Sequence, residues 1–121
     1  MTTLAEASLS AAERRVLDKF VELLKAELGD ELDSVWLYGS RARGEAPHEE
    51  SDIDLIVLTA NGDADHGRVI DAAFEAREGV LDIGWLSVHT QDRAWLEGRR
   101  AIESFFIQEV DRDKIVLYGK P

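Results

Sequence analysis

The stretch Gly39-Ser40-Arg41-Ala42-Arg43-Gly44, followed after a polar segment by Ser51-Asp52-Ile53-Asp54-Leu55-Ile56-Val57, decides how this chain reads. Side chains alternate faces along a strand, so Asp52 and Asp54 point one way while Ile53 and Leu55 point the other. Two carboxylates side by side on one strand repel each other and serve no packing purpose. A hard divalent cation removes the repulsion, and carboxylate oxygens are the ligands that Mg²⁺ prefers. Gly39 closes the preceding apolar run, Ser34-Val35-Trp36-Leu37-Tyr38, which is rich in strand-forming residues. Glycine there lets the backbone turn tightly and lets a phosphate approach. Amides and the hydroxyl around Ser40 would then face outward as an anion site. Metal ligands on one side and phosphate donors on the other describe a holder for a nucleoside triphosphate.

Outward from that stretch, the pattern alternates helices and strands. Ser10-Ala11-Ala12-Glu13 reads as a capping box opening a helix over 10–28. Leu9, Val16, Leu17, Phe20, Leu24 and Leu28 fall on one face of it. Strands are expected over 34–38 and 53–59. Asp63 or Asp65 caps a helix through about Arg77, with Val69, Ile70, Ala73 and Phe74 inward, and Gly79 ends it. Val80 to Val88 reads as a third strand, Thr90 as the cap of a short helix, and Arg99 to Val110 as a final helix. Ile115 to Tyr118 closes the pattern as a strand. The order α, β, β, α, β, α, α, β predicts an α/β fold: one small mixed sheet of about four strands flanked by helices.

Asp82 is the candidate third acid. It interrupts the apolar run Leu81-Asp82-Ile83, and a strand beside 53–59 would carry it toward Asp52 and Asp54, completing a two-metal arrangement. His48, beside Glu49 and Glu50, reads as a solvated residue, and His66 and His89 have no recognisable metal-ligand spacing.

Composition narrows the setting. The 121 residues suit a single domain spanning 1–121, and 45 % hydrophobic with 32 % charged residues is ordinary for a globular chain. The net charge of −11, from 25 acids and 14 bases, argues against an extensive nucleic-acid surface. There is no cysteine, hence no disulfide or thiolate site. No apolar run reaches the length of a membrane span, and 1–7 lacks a signal-peptide layout. A cytoplasmic protein is expected.

Gly39-Ser40, then Asp52-x-Asp54 between hydrophobic residues, then an isolated acid, resembles the polymerase-β-type nucleotidyltransferase superfamily. The run 37–46, Leu-Tyr-Gly-Ser-Arg-Ala-Arg-Gly-Glu-Ala, is especially similar to its minimal branch, the MNT proteins, many of them antitoxins encoded beside a HEPN-domain toxin. The resemblance implies that Asp52, Asp54 and Asp82 bind two Mg²⁺ ions, with Asp82 a candidate base. Gly39 and Ser40 would hold the β- and γ-phosphates of ATP, assisted by Arg41 and Arg43. It implies transfer of AMP to a hydroxyl, in the antitoxin case a tyrosine of the partner HEPN toxin. Two alternatives remain open: an antitoxin acting by contact alone, and nucleotidyl transfer to a small molecule such as an aminoglycoside.

Overall fold

A computed structural model describes residues 7–45 and 52–121. Residues 46–51, which include most of the expected polar segment and His48, lie outside the described residues. Helix α1, Ala11–Leu28, begins as its capping box requires: the Glu13 amide donates to Ser10 Oγ at 3.1 Å, and the Ser10 amide donates to Glu13 Oε1 at 2.9 Å. Both arms satisfy amides that have no partner inside the first turn. A 3-10 turn at Gly29–Glu31 leads into β1, Leu32–Tyr38. A single helical turn, α2 (Gly39–Ala42), follows, then β2, Ile53–Thr59, and α3, His66–Ala76. The chain ends with β3 (Leu86–Gln91), α4 (Arg93–Ala101), α5 (Phe105–Asp113) and β4 (Ile115–Gly119).

The four strands form one mixed sheet in the order β3-β2-β1-β4. β1 runs antiparallel to both β2 and β4, and β2 runs parallel to β3. Because side chains alternate, each central strand feeds two cores. Val35, Leu37, Leu55 and Val57 pack under α1 and α3 with Phe20, Leu24 and Val69. Trp36, Ile56 and Leu58 pack under α4 and α5 with Leu96, Ile107 and Val110. At about 25 cal/mol per Å² of apolar surface removed from water, burial on both faces is the main force holding the three layers together. Among the described residues, no helix is long and apolar enough to cross a membrane.

Four local expectations are corrected. The third strand starts at Leu86, not Val80. Gly79 and Asp82 both have positive φ (75° and 61°), and residues 80–85 form an irregular connection whose Val80 and Ile83 still pack on the first core. An apolar run can thus be consumed by a loop that lies on a core. Thr90 belongs to β3, where its hydroxyl meets His66 Nδ1 at 2.8 Å, and Asp92 caps α4 by accepting from the Trp95 amide at 2.7 Å. The final helix is broken, because Glu103 adopts a left-handed φ of 53° and Ser104 takes the N-cap position of α5. In α3 the inward residues are Val69, Ala72, Ala73 and Ala76; Ile70 is only partly buried and Phe74 is exposed.

Candidate functional site

β1 ends at Tyr38 in extended conformation, and Gly39, at φ 76°, turns the chain into α2. That φ is costly for any L side chain. A second constraint is spatial: a Cβ at Gly39 would lie 2.5 Å from Asp54 Oδ2. The turn and the carboxylate are therefore in direct contact, and only a residue without a side chain fits between them.

Asp54 sits inside β2, opposite Tyr38 of β1 and beside Ser87 of β3. It shares its face with Ile56 and Leu58, at the open end of the second core. Asp52 stands exposed immediately before the strand, and the Ile53 amide donates to the Trp85 carbonyl at 2.8 Å, which fixes the strand start. Burial raises the Asp54 carboxyl above its ordinary value, and the charge of Asp52 raises it further; Arg43 and Arg41 oppose this without cancelling it. Tyr38 is likewise raised, by burial first and then by Asp54. Among the described residues, no hydrogen bond or ion pair satisfies either aspartate. Two close, unneutralised carboxylates with one half-buried fit a divalent cation. No group of three or more acids or histidines gathers around them among the described residues. That donor set suits Mg²⁺, which commonly takes one or two carboxylates and completes its shell with water and substrate phosphates.

Asp82 was expected to complete the set from a strand. It lies four residues ahead of Leu86, the partner of Ile53, in the irregular connection, and is exposed. The neighbour of Asp54 on β3 is Ser87 instead. The structure brings Asp52 and Asp54 together with Gly39 and Ser40 and leaves Asp82 outside that group.

Arg41 was expected to assist with phosphate, but its side chain is buried under the turn. Its Nη1 donates to Glu13 Oε1 at 2.8 Å and to the Ser8 carbonyl at 3.0 Å. The same carboxylate accepts from the Gly84 amide at 2.9 Å. Burial pushes Glu13 up, yet the bonds from Arg41, Ser10 and Gly84 together hold it below its ordinary value. Glu13 thus ties α1, α2 and the connection before β3 to one point. Its capping role was legible in the sequence; the pairing with Arg41, 28 residues away, had no sequence signal. Arg43 is more open. Its Nε donates to Glu45 at 2.8 Å and its Nη1 lies 3.7 Å from Asp113 of α5.

Sequence reasoning also missed the aromatic wall on this face. The Tyr38 ring meets Phe106 of α5 edge-on at 5.6 Å, and His89 lies 6.2 Å from Phe106 and 5.1 Å from Trp95. Burial, with His66 and Arg99 nearby, lowers the His89 imidazole. Alternation along β3 would have put Ser87 and His89 on the face of Asp54, had the strand register been known.

The family model described as "Polymerase beta, Nucleotidyltransferase" matches residues 18–120. Two proteins of Methanocaldococcus jannaschii, each named "Putative protein adenylyltransferase", are similar over shorter stretches. One is 48 % identical over 46 residues, covering 38 % of this chain and 31 % of its own length. The other is 39 % identical over 59 residues, covering 49 % and 55 %. The matches therefore span about a third and about half of those relatives. Among solved structures, a crystal structure of a toxin–antitoxin with AMP-PNP contains a chain with a TM-score of 0.53 and 23 % identity, covering 85 % of this chain and 73 % of that one. A crystal structure of a mutant MntA-HpeT toxin–antitoxin gives a TM-score of 0.53 at 20 % identity over the same shares. At that identity the likeness establishes the shared fold.

Proposed function

The chain belongs to the polymerase beta nucleotidyltransferase family, and on that premise we propose that it moves AMP from ATP to a hydroxyl of a partner protein, a tyrosine of a HEPN-type toxin. The observation that carries this reading is the contact between the Gly39 turn and Asp54 with Asp52 beside it. A triphosphate laid along the turn would bring its α-phosphate to the carboxylate pair. The similar proteins named for protein adenylylation and the toxin–antitoxin neighbours support a protein acceptor and a toxin partner.

In this reading Asp52 and Asp54 would hold Mg²⁺, which would supply charge neutralisation and activation of the acceptor oxygen. Gly39 and Ser40 seat the β- and γ-phosphates. Glu13 and Arg41 act as positioning residues that fix the turn, and Arg43 is the cation open to phosphate. The acceptor oxygen bonds to the α-phosphorus while the bond between that phosphorus and the α–β bridging oxygen breaks. Its electron pair leaves with pyrophosphate, and the hydroxyl proton passes to a neighbouring carboxylate. Asp82 could serve as third ligand and base only if residues 80–85 rearranged, so we assign the chemistry to Asp52 and Asp54.

Co-expression with the toxin tests this against neutralisation by contact alone. Wild type rescues growth, and the variant Asp52→Asn with Asp54→Asn, expressed at equal level, does not. Full rescue by that variant would reject the enzymatic reading.

A further inference from the structure

An exposed apolar surface not used by the site lies beside it. Where α4 breaks from α5, Ile102 is 70 % exposed and Phe105 75 %, with Phe106 next to them at 38 %. Ordinary surfaces leave single apolar side chains in water; a contiguous group of large ones marks an interaction site. The other exposed aromatic pair, Phe74 and Trp85, is partly self-covered: the rings meet edge-on at 5.6 Å and Arg77 lies over Trp85 at 4.6 Å. No such contact covers Ile102 or Phe105 among the described residues.

We propose that this α4–α5 corner is the docking surface for the protein acceptor, and that the acceptor is a basic protein presenting apolar side chains beside its hydroxyl. The inference rests on the transfer reading above and specifies which surface serves it. Continuity with the site is the first support. Phe106 packs on Tyr38, Tyr38 is the cross-strand partner of Asp54, and Arg43 beside the turn lies 3.7 Å from Asp113 of α5. Phe106 is thus separated from Asp54 by one side chain, Tyr38, and Phe105 is its exposed neighbour at the start of α5. Charge is the second support. The exposed acids Glu97 and Glu103 belong to α4 and its junction with α5, Arg100 is held by Asp111 at 2.8 and 2.9 Å, Arg112 lies 3.9 Å from Glu109, and Arg99 lies over the Trp95 ring at 5.8 Å. With a net charge of −11, the chain favours encounter with a basic partner and repels nucleic acid.

A photo-crosslinking phenylalanine analogue at position 105 of the full chain tests the proposal in host lysate containing Mg²⁺ and ATP labelled at the α-phosphate. The protein cross-linked at 105 and the protein carrying label should be the same, identified by mass spectrometry, and it should be basic. Phe105→Glu should cut its labelling at least tenfold while ATP binding, read by equilibrium dialysis, changes less than twofold. Labelling of that protein by Phe105→Glu at the wild-type rate, absence of a cross-link to it, or an acidic acceptor would overturn the docking surface and leave the transfer reading standing. Absence of labelled protein even with wild type would overturn both.

Discussion

Replacing Asp54 with asparagine should stabilise the protein without metal and destabilise it, relative to wild type, with metal and ATP. Asp54 is half-buried and has the exposed Asp52 two residues away on the same face. At a rise of about 3.3 Å per residue the two charges stand roughly 6.6 Å apart. With an effective dielectric near 20 that costs about 2.5 kcal/mol, and screening at the exposed partner reduces it to roughly 1 kcal/mol. Asn keeps the shape and removes the charge, so urea denaturation in EDTA should show the variant about 1 kcal/mol more stable. For a chain of this size that is a rise in Tm on the order of 3–6 °C. Adding Mg²⁺ and ATP at about a hundred times the dissociation constant should stabilise wild type by about 2.7 kcal/mol. The variant, lacking one carboxylate, should gain little, so the order of stability reverses. An Asn variant less stable than wild type in EDTA, or equally stabilised by Mg²⁺ and ATP, would refute the view that this carboxylate is kept for a cation.

Breaking the buried pair by Glu13→Ala should cost stability, up to about 3–5 kcal/mol, because it removes the carboxylate facing the buried Arg41 guanidinium; Glu13→Leu with Arg41→Met should recover much of that loss in the same denaturation assay. Gly39→Ala should lower stability by roughly 1–2 kcal/mol from its left-handed φ alone, and its Cβ would displace Asp54, so ATP-dependent stabilisation should also fall. Glu13, Asp33 and Asp111 are all held below their ordinary carboxyl values, Asp33 chiefly by a hydrogen bond from Arg93, and Asp111 by bonds from Arg100 and Lys114 that outweigh burial. Depressed folded values mean stability that is complete above the unfolded carboxyl range of about 4–4.5. It is lost as pH falls through the folded values, so the urea midpoint should drop steeply below about pH 4, and less steeply in Asp33→Asn.

Local signals carried much of the fold. The capping box marked α1, β2 has the bounds expected for the apolar run 53–59, and β4 follows from Ile115 onward. Element order and the mixed sheet followed from these. What the sequence did not reveal depended on contacts between distant residues. Leu81 and Ile83 look like strand residues around Asp82, but the connection before β3 is pinned by Gly84 to Glu13 and bends at Asp82. Arg41 looks like a phosphate ligand until its pairing with Glu13 is seen. The run from Arg99 to Val110 has helical periodicity throughout, and nothing local outweighed it except Ser104 as a weak cap. At the site, the Gly39 turn and the Asp52-x-Asp54 pattern were legible because each is local. Their contact, and the aromatic wall of Tyr38, His89 and Phe106, required the sheet register.

The most direct test of the account incubates the purified chain with the HEPN-type toxin proposed as its acceptor, Mg²⁺ and ATP labelled at either the α- or the γ-phosphate. Transfer of AMP predicts toxin labelled from the α-phosphate only, with one pyrophosphate released per label and none with Asp52→Asn and Asp54→Asn together. Label from the γ-phosphate, or equal α-labelling by the double variant, would contradict the assignment of nucleotidyl transfer to this pair of carboxylates.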